Sequence, residues 1–198
     1  MKEPLGDPVS NWMWLYPGRI SADITDLPRT AFLHIGKTGG TSVKKMIEDL
    51  HTAEDGLPKV LFLGHRTRLP AVFREVPDLR IVCTIRDPVE RFVSGFNSRL
   101  RFGNPDHEIP WDVGEATAFS FFPDAEALVH GLDSSDTRLR NAARFAKLRI
   151  KHLKWDYPHF FFSPEVIRRH ADRFAMVNRL ETLDKNAPRM LELLGLPK

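Results

Sequence analysis

Thr30-Ala31-Phe32-Leu33-His34-Ile35 runs directly into Gly36-Lys37-Thr38-Gly39-Gly40-Thr41-Ser42, and the reading of this stretch decides the fold. A short, mostly apolar run ended by glycine reads as a buried strand. Beyond the glycines, Val43, Met46, Ile47 and Leu50 recur at i, i+3, i+4 and i+7, the apolar stripe of a helix. The segment is therefore strand, glycine-rich loop, helix. In such a loop, glycines let backbone N–H groups turn inward around an anion, and the helix N-terminus adds orphan donors and a positive dipole end. Lys37 brings a mobile charge, and Thr38, Thr41 and Ser42 bring hydroxyls. The expectation is a phosphate or sulfate cradle. The alternative is a Gly-Gly pair that merely makes a tight turn; the lysine, the hydroxyls and the flanking elements favour the cradle. It is not a standard nucleotide P-loop, which wants G-x-x-x-x-G-K-[ST]: aligning Gly36-Lys37-Thr38 with its end puts Ala31 where the first glycine belongs.

Outward from this unit, Val60-Leu61-Phe62-Leu63 ends at Gly64-His65, and Leu79-Arg80-Ile81-Val82-Cys83-Thr84-Ile85 ends at Arg86-Asp87-Pro88. Both read as strands of a buried sheet. After the second, Asp87 stands at an N-cap, Pro88 at the first helical position and Glu90 where it closes a capping box, with Val89, Phe92, Val93 and Phe96 as the expected buried stripe. A long helix is predicted from about Asp136 to Lys154, then a strand at Phe174-Ala175-Met176-Val177 and a closing helix from Leu183 to Leu194. Strands alternating with helices imply an α/β fold whose parallel sheet is covered on both faces. Residues 1–28, with Pro4, Pro8, Pro17 and Pro28 among Trp12, Trp14 and Tyr16, read as an extended segment pinned by aromatics; 29–198 read as one α/β domain.

At 198 residues the chain suits one domain, and a chain of this size buries about 70% of the surface its unfolded form exposes. One cysteine, Cys83, excludes an internal disulfide framework, and 42% hydrophobic with 28% charged residues excludes disordered and collagenous classes. No apolar run is long enough to span a bilayer, and Met1-Lys2-Glu3-Pro4 leads into no signal-peptide core, so a cytoplasmic location is expected without membrane insertion. A net charge of +3 is too small to argue for nucleic-acid binding. Its distribution is uneven: from Thr137 to Trp155 there are seven basic residues and no acidic one. On a straight helix Arg140, Arg144, Lys147, Lys151 and Lys154 fall on one face, while Leu139, Ala142, Ala146, Ile150 and Leu153 form the expected buried stripe. That face either meets an acidic acceptor or the phosphates of a nucleotide, or is simply solvated, its aliphatic stems covering apolar surface.

A second constellation lies where the third strand meets its helix. On the wheel Ser94 and Ser98 share the face of Arg91, and Arg86 sits at the strand's C-terminal end, where open α/β sheets bind ligands. Arg86, with its planar fork, and Ser94, with its hydroxyl, could close on one phosphate. The competing reading is a surface ion pair of Arg86 or Arg91 with Asp87 or Glu90.

Phe32-Leu33-His34-Ile35-Gly36-Lys37-Thr38-Gly39-Gly40-Thr41-Ser42 resembles the 5′-phosphosulfate loop of sulfotransferases that use 3′-phosphoadenosine 5′-phosphosulfate (PAPS). Cys83-Thr84-Ile85-Arg86-Asp87-Pro88-Val89-Glu90-Arg91-Phe92-Val93-Ser94-Gly95-Phe96 resembles their 3′-phosphate motif, and Phe174 to Asp184 their last strand and turn. The carbohydrate branch, which includes heparan sulfate 2-O-sulfotransferase and small bacterial relatives, is the most similar. The resemblance implies a P-loop-like sulfotransferase architecture. It implies that Gly36, Lys37, Thr38, Gly39, Gly40, Thr41 and Ser42 hold the 5′-phosphosulfate, that Arg86 and Ser94 hold the 3′-phosphate, and that PAPS is the co-substrate. It also implies a catalytic base: in this branch a histidine after a glycine just past the second strand takes the acceptor proton, and Gly64-His65 matches that place. A histidine on the loop end of a strand suits the task, being largely neutral near pH 7; the alternative is a histidine satisfied by backbone at a turn. His34 reads as structural. The remaining histidines and the single cysteine show no metal-ligand spacing, so no metal is expected.

The expected function is transfer of a sulfuryl group to an acceptor hydroxyl on a carbohydrate, with His65 and Lys37 catalytic. A nucleotide kinase or NTPase is the alternative enzyme, weighed down by Ala31 and by the lack of an unencumbered strand-end aspartate for magnesium. A non-catalytic polyanion-binding module using the 140–154 face is the other. Regions 97–135 and 155–170, rich in aromatics and loops, are expected to shape the acceptor pocket.

Overall fold

The computed structural model describes residues 11–15, 29–105 and 108–197. The described residues divide into two compact units, one drawn from those up to Arg86 together with those from Tyr157 onward, the other from those between Asp87 and Asp156.

The first unit holds a five-stranded sheet, ordered β1-β3-β2-β4-β5 among the described residues, in which every pairing is parallel. The strands are β1 (Trp12–Leu15), β2 (Thr30–Leu33), β3 (Val60–Leu63), β4 (Arg80–Ile85) and β5 (Phe174–Arg179). The helices of this unit are α1 (Gly40–Ala53), α2 (Leu69–Glu75), α8 (Tyr157–Phe161), α9 (Pro164–Arg169) and α10 (Leu183–Leu193). The α/β class and the helix-flanked parallel sheet are as the sequence predicts. Strand alternation splits the side chains between two faces. Phe32, Val60, Phe62 and Val82 pack with Val43 and Ile47 of α1 and with Leu183, Met190 and Leu191 of α10. Ala31, Leu33, Leu61, Leu63, Ile81 and Cys83 point the other way and are equally buried. This two-faced burial is why these strands read as unbroken apolar runs rather than as alternating ones.

One strand of the sheet comes from the N-terminal segment. Trp12–Leu15, expected as part of an extended segment without a readable role, adds β1 to the sheet edge beside β3. Tyr16 and the prolines of that segment lie outside the described residues, as does His107.

The second unit is helical: α3 (Pro88–Leu100), α4 (Val113–Phe121), α5 (Ala125–Asp133), α6 (Thr137–Arg149) and α7 (Lys151–Lys154). Its core joins Phe96, Phe119, Phe122, Leu128, Ala143, Ala146, Ile150 and Leu153. Asp87 caps α3 as predicted, accepting from the N–H groups of Val89 and Glu90. The buried side of α3 differs from the expected stripe. Val89 is 70% exposed, while Arg91, Gly95, Phe96, Ser98 and Arg99 are buried. The charges turn inward because each finds a partner there: Arg91 donates from Nη2 to the Trp155 carbonyl at 2.6 Å, and Arg99 forks onto Glu115 at 2.8 and 2.7 Å.

Two further expectations change. Residues 97–135 are mostly helical, holding α4 and α5, and 155–170 hold α8 and α9. The single helix expected from about Asp136 to Lys154 breaks at Ile150, which has ψ 114°. The cause is Glu115, whose Oε1 accepts from the Lys151 N–H at 3.1 Å and so takes a donor that a continuous helix would have paired internally. The five cations of the expected basic face therefore do not share one straight helix. Arg140 donates to the Ser134 carbonyl, Lys147 pairs with Asp156 at 2.9 Å, Lys151 lies 3.4 Å from Glu115, and Lys154 sits over the Trp155 ring. Leu139, expected in the buried stripe, is 42% exposed.

Candidate functional site

Parallel strands put all their carboxyl ends on one edge. From central β2 the chain goes first to β3 on one side and then to β4 on the other, so the edge outside β2 and β4 is the topological switch point where open α/β sheets bind ligands. Residues 36–39 lie in the loop after β2 and 40–42 open α1, the turn after β3 carries His65, and Arg86 directly follows β4. Three stretches more than twenty residues apart in sequence thus meet one edge of the sheet, as their positions after strand ends predict.

The β2–α1 loop is built around two left-handed residues, Lys37 at φ 67° and Gly39 at φ 87°. For Lys37 this conformation is strained, and strain of this kind persists where surrounding structure over-determines it. Thr38 is fully buried, and its hydroxyl donates to the Ile35 carbonyl at 2.8 Å, bracing the loop. Its one O–H is therefore committed, and what Thr38 can offer an anion is its backbone N–H. Glycine is required at both following positions. A Cβ on Gly39 would stand 2.7 Å from Leu180 Cδ1, and one on Gly40 would overlap the His34 imidazole. Thr41 and Ser42 are exposed in the first turn of α1.

The start of α1 differs from most other helix starts in the protein. Asp87, Asp112, Asp124, Asp136 and Ser163 each cap their own helix with a side chain. Gly39 has no side chain to do so, and the first turn of α1 contains no acid. A helix of this length leaves its first N–H groups and the positive end of its dipole directed at whatever occupies the loop, which suits a phosphate or sulfate.

His65 is half-buried and bonds through Nδ1 to the His34 carbonyl at 3.0 Å. A carbonyl only accepts, so Nδ1 carries the proton and the lone pair of the neutral ring lies on Nε2. The two readings of His65 are thus compatible: backbone satisfies one nitrogen and thereby defines the basic one. The His34 and His65 rings lie 4.5 Å apart.

Arg86 is held by a residue the sequence reading missed. Its N–H donates to the Tyr157 hydroxyl at 2.8 Å, and that hydroxyl donates back to the Arg86 carbonyl at 2.7 Å. Nothing in the pattern around Tyr157 announces this, because the partner is 71 residues away. Ser94 belongs to the second unit, half-buried on α3. At the end of β5, Asn178 Oδ1 accepts from Thr182 and Asn186, tying the strand to the following turn and α10. Trp14, also missed, packs beside Gly64, where a Cβ would lie 3.3 Å from its ring. The i, i+2 spacing of Trp12 and Trp14 was its available signal, a strand period.

Among the described residues no group of His, Cys, Asp and Glu is placed to hold a metal ion, and no helix is long and apolar enough to cross a membrane. A family model described as Sulfotransferase family matches residues 22–198. No curated protein and no solved structure matches the chain.

Proposed function

We propose, for a chain that belongs to the sulfotransferase family, that its donor is 3′-phosphoadenosine 5′-phosphosulfate and its acceptor a carbohydrate hydroxyl. The observation that carries this reading is the pairing of an anion-directed helix start with a tautomer-defined histidine: His65 is bonded through Nδ1 to His34, two residues before the Gly36 loop.

The donor supplies a sulfuryl group already activated by its phosphate leaving group. Lys37 and the backbone amides of residues 38–42 hold the 5′ end and stabilise negative charge that grows on the leaving phosphate oxygen. Arg86 and Ser94 hold the 3′-phosphate. His65 takes the acceptor proton on Nε2 while the acceptor oxygen attacks sulfur in line. The new bond is acceptor O–S, the bond broken is S–O to the 5′-phosphate, and 3′-phosphoadenosine 5′-phosphate (PAP) leaves. Lys37 therefore acts in both ground and transition states, whereas His65 acts only in the second.

Calorimetry with PAP in the presence of EDTA tests the donor. Binding is expected, and Arg86→Ala should weaken PAP by roughly 10- to 150-fold, the worth of about 1.5–3 kcal/mol for a charged hydrogen bond. Adenosine 5′-phosphosulfate, which lacks the 3′-phosphate, should lose far less. Equal losses for both ligands would reject the role of Arg86. For the base, His65→Ala should leave PAP affinity nearly intact and lower single-turnover sulfate transfer by on the order of 10²–10⁴. Lys37→Ala should damage both. Turnover of His65→Ala within a few-fold of wild type, with an unchanged acid limb, makes the histidine structural.

A further inference from the structure

Strand β1 lies outside the region that the family match covers, residues 22–198, yet it reaches the His65 edge of the sheet. Register pairs Trp14 with Phe62 and Leu15 with Leu63, so β1 ends level with the last residue of β3, just before Gly64-His65. The Trp14 indole touches three things there. It lies against Gly64, where a Cβ would be 3.3 Å from Cζ3 and 3.5 Å from Cε3. It is nearly parallel to the His34 imidazole, at 20° with centroids 6.3 Å apart. It meets the Phe62 ring edge-on at 5.6 Å. From α1, the Lys44 ammonium sits 4.4 Å from the Trp14 centroid and 4.9 Å from that of Trp12, a cation–π clamp that fixes the indole from the helix side.

The indole thus faces the side chain of one residue and the backbone of another that adjoin the His65 hydrogen bond. His34 supplies the carbonyl that accepts from His65 Nδ1, and Gly64 is the residue before His65. A half-buried histidine whose ring partner and preceding residue rest on a rigid indole keeps one orientation; without that wall, Gly64 and the His34 ring gain room and the Nδ1 bond loosens. We propose that Trp14 is a positioning residue for His65, holding its neutral ring in the Nδ1–H form with Nε2 directed at the reaction. The proposal rests on the reading of His65 as the base.

The test uses the full chain with Trp14→Leu, which keeps an apolar side chain but removes the flat ring, and Trp14→Phe, which keeps one. Long-range ¹⁵N–¹H spectra of the imidazoles, with the His65 signal assigned by its loss in His65→Gln, read the tautomer directly. Release of PAP from PAPS with water as acceptor reads turnover. Wild type should show a single Nδ1–H form. Trp14→Leu should show mixed tautomers and release PAP at least about 10-fold more slowly, part of the worth of a positioned base, with PAP affinity within about two-fold. Trp14→Phe should return both readouts towards wild type. Because Trp14 acts through His65, the Trp14→Leu/His65→Ala double variant should be no slower than His65→Ala alone. A wild-type tautomer in Trp14→Leu, or losses that multiply in the double variant, overturns the assignment of Trp14 while leaving His65 in place. Loss of PAP binding together with turnover also overturns it, since the indole is then only core. PAP release at the wild-type rate in His65→Ala overturns the base reading itself, and the proposal with it.

Discussion

Glu115 has none of its surface exposed and is held by Arg99 from one side and by the Lys151 N–H from the other. Burial pushes its carboxyl up, but the Arg99 and Lys151 hydrogen bonds and the charges of the two cations outweigh this and leave it below the usual carboxylate range. A folded value below the unfolded one, about 4.3, means that the stability it contributes is complete above that pH and is lost as pH falls through the folded value. Acid unfolding should therefore begin below about pH 4, and Glu115→Gln should remove that limb. The same variant leaves the buried Arg99 charge without its carboxylate, with only the Ile109 and Pro110 carbonyls still accepting from it, and loss of a buried counter-charge typically costs about 3–5 kcal/mol; urea unfolding at pH 7 checks it, and a loss under about 1 kcal/mol would contradict the buried pair. At Lys37 the balance is reversed. Its left-handed backbone suits glycine, so Lys37→Gly should hold or raise Tm, the relief of about 1–2 kcal/mol being partly offset by glycine's greater chain entropy. PAP affinity should fall in the same variant. A lower Tm with intact binding would show that the lysine side chain is there for stability.

At the scale of elements, chemistry local to a few residues was readable and chemistry between elements was not. Asp87-Pro88 announced α3, and the same kind of signal, Asp112 followed by Glu115, stood before α4 in a region read as loops. The break at Ile150 had no such signal, because the group that causes it is a carboxylate 36 residues earlier. The inward turn of α3 had none either: a wheel sorts residues by polarity and cannot see that Arg91 and Arg99 have partners waiting. Close packing between α5 and α6 gives the prediction at this scale. A Cβ on Gly131 would lie 2.8 Å from Phe122 Cε1 and 2.9 Å from Ala143 Cβ, both held by the core. Gly131→Ala should therefore destabilise by about 1–3 kcal/mol, although alanine is ordinarily the better helix former. Thermal unfolding decides the sign, and a rise in Tm would mean that the helices can move apart.

Across the whole molecule, the sheet supplies the reporter. Cys83 is fully buried in β4, beside central β2, and burial pushes its thiol up to about 12. A raised thiol value contributes stability that is complete below the unfolded value, about 8.5, and declines as pH rises from there through the folded one. The native protein should resist thiol reagents at pH 8, its labelling rate following the population of opened sheet; labelling as fast as a free thiol would place Cys83 at a surface. What the sequence determined by itself was the strand–loop–helix of residues 30–50, the strands at 60 and 80, the closing helix and the Asp87 cap. Each is written in residues within a turn or two of one another, where period, glycine and capping chemistry act directly. What only the tertiary structure decided was β1 at the sheet edge, the order of the strands, the His65 bond to His34 across 31 residues, the Tyr157 clamp on Arg86 across 71, and the buried Arg99–Glu115 pair. The physical reason is that a hydrogen bond or ion pair between distant segments leaves no period in the chain: its partners become neighbours only when apolar burial has closed the sheet and the helical core around them.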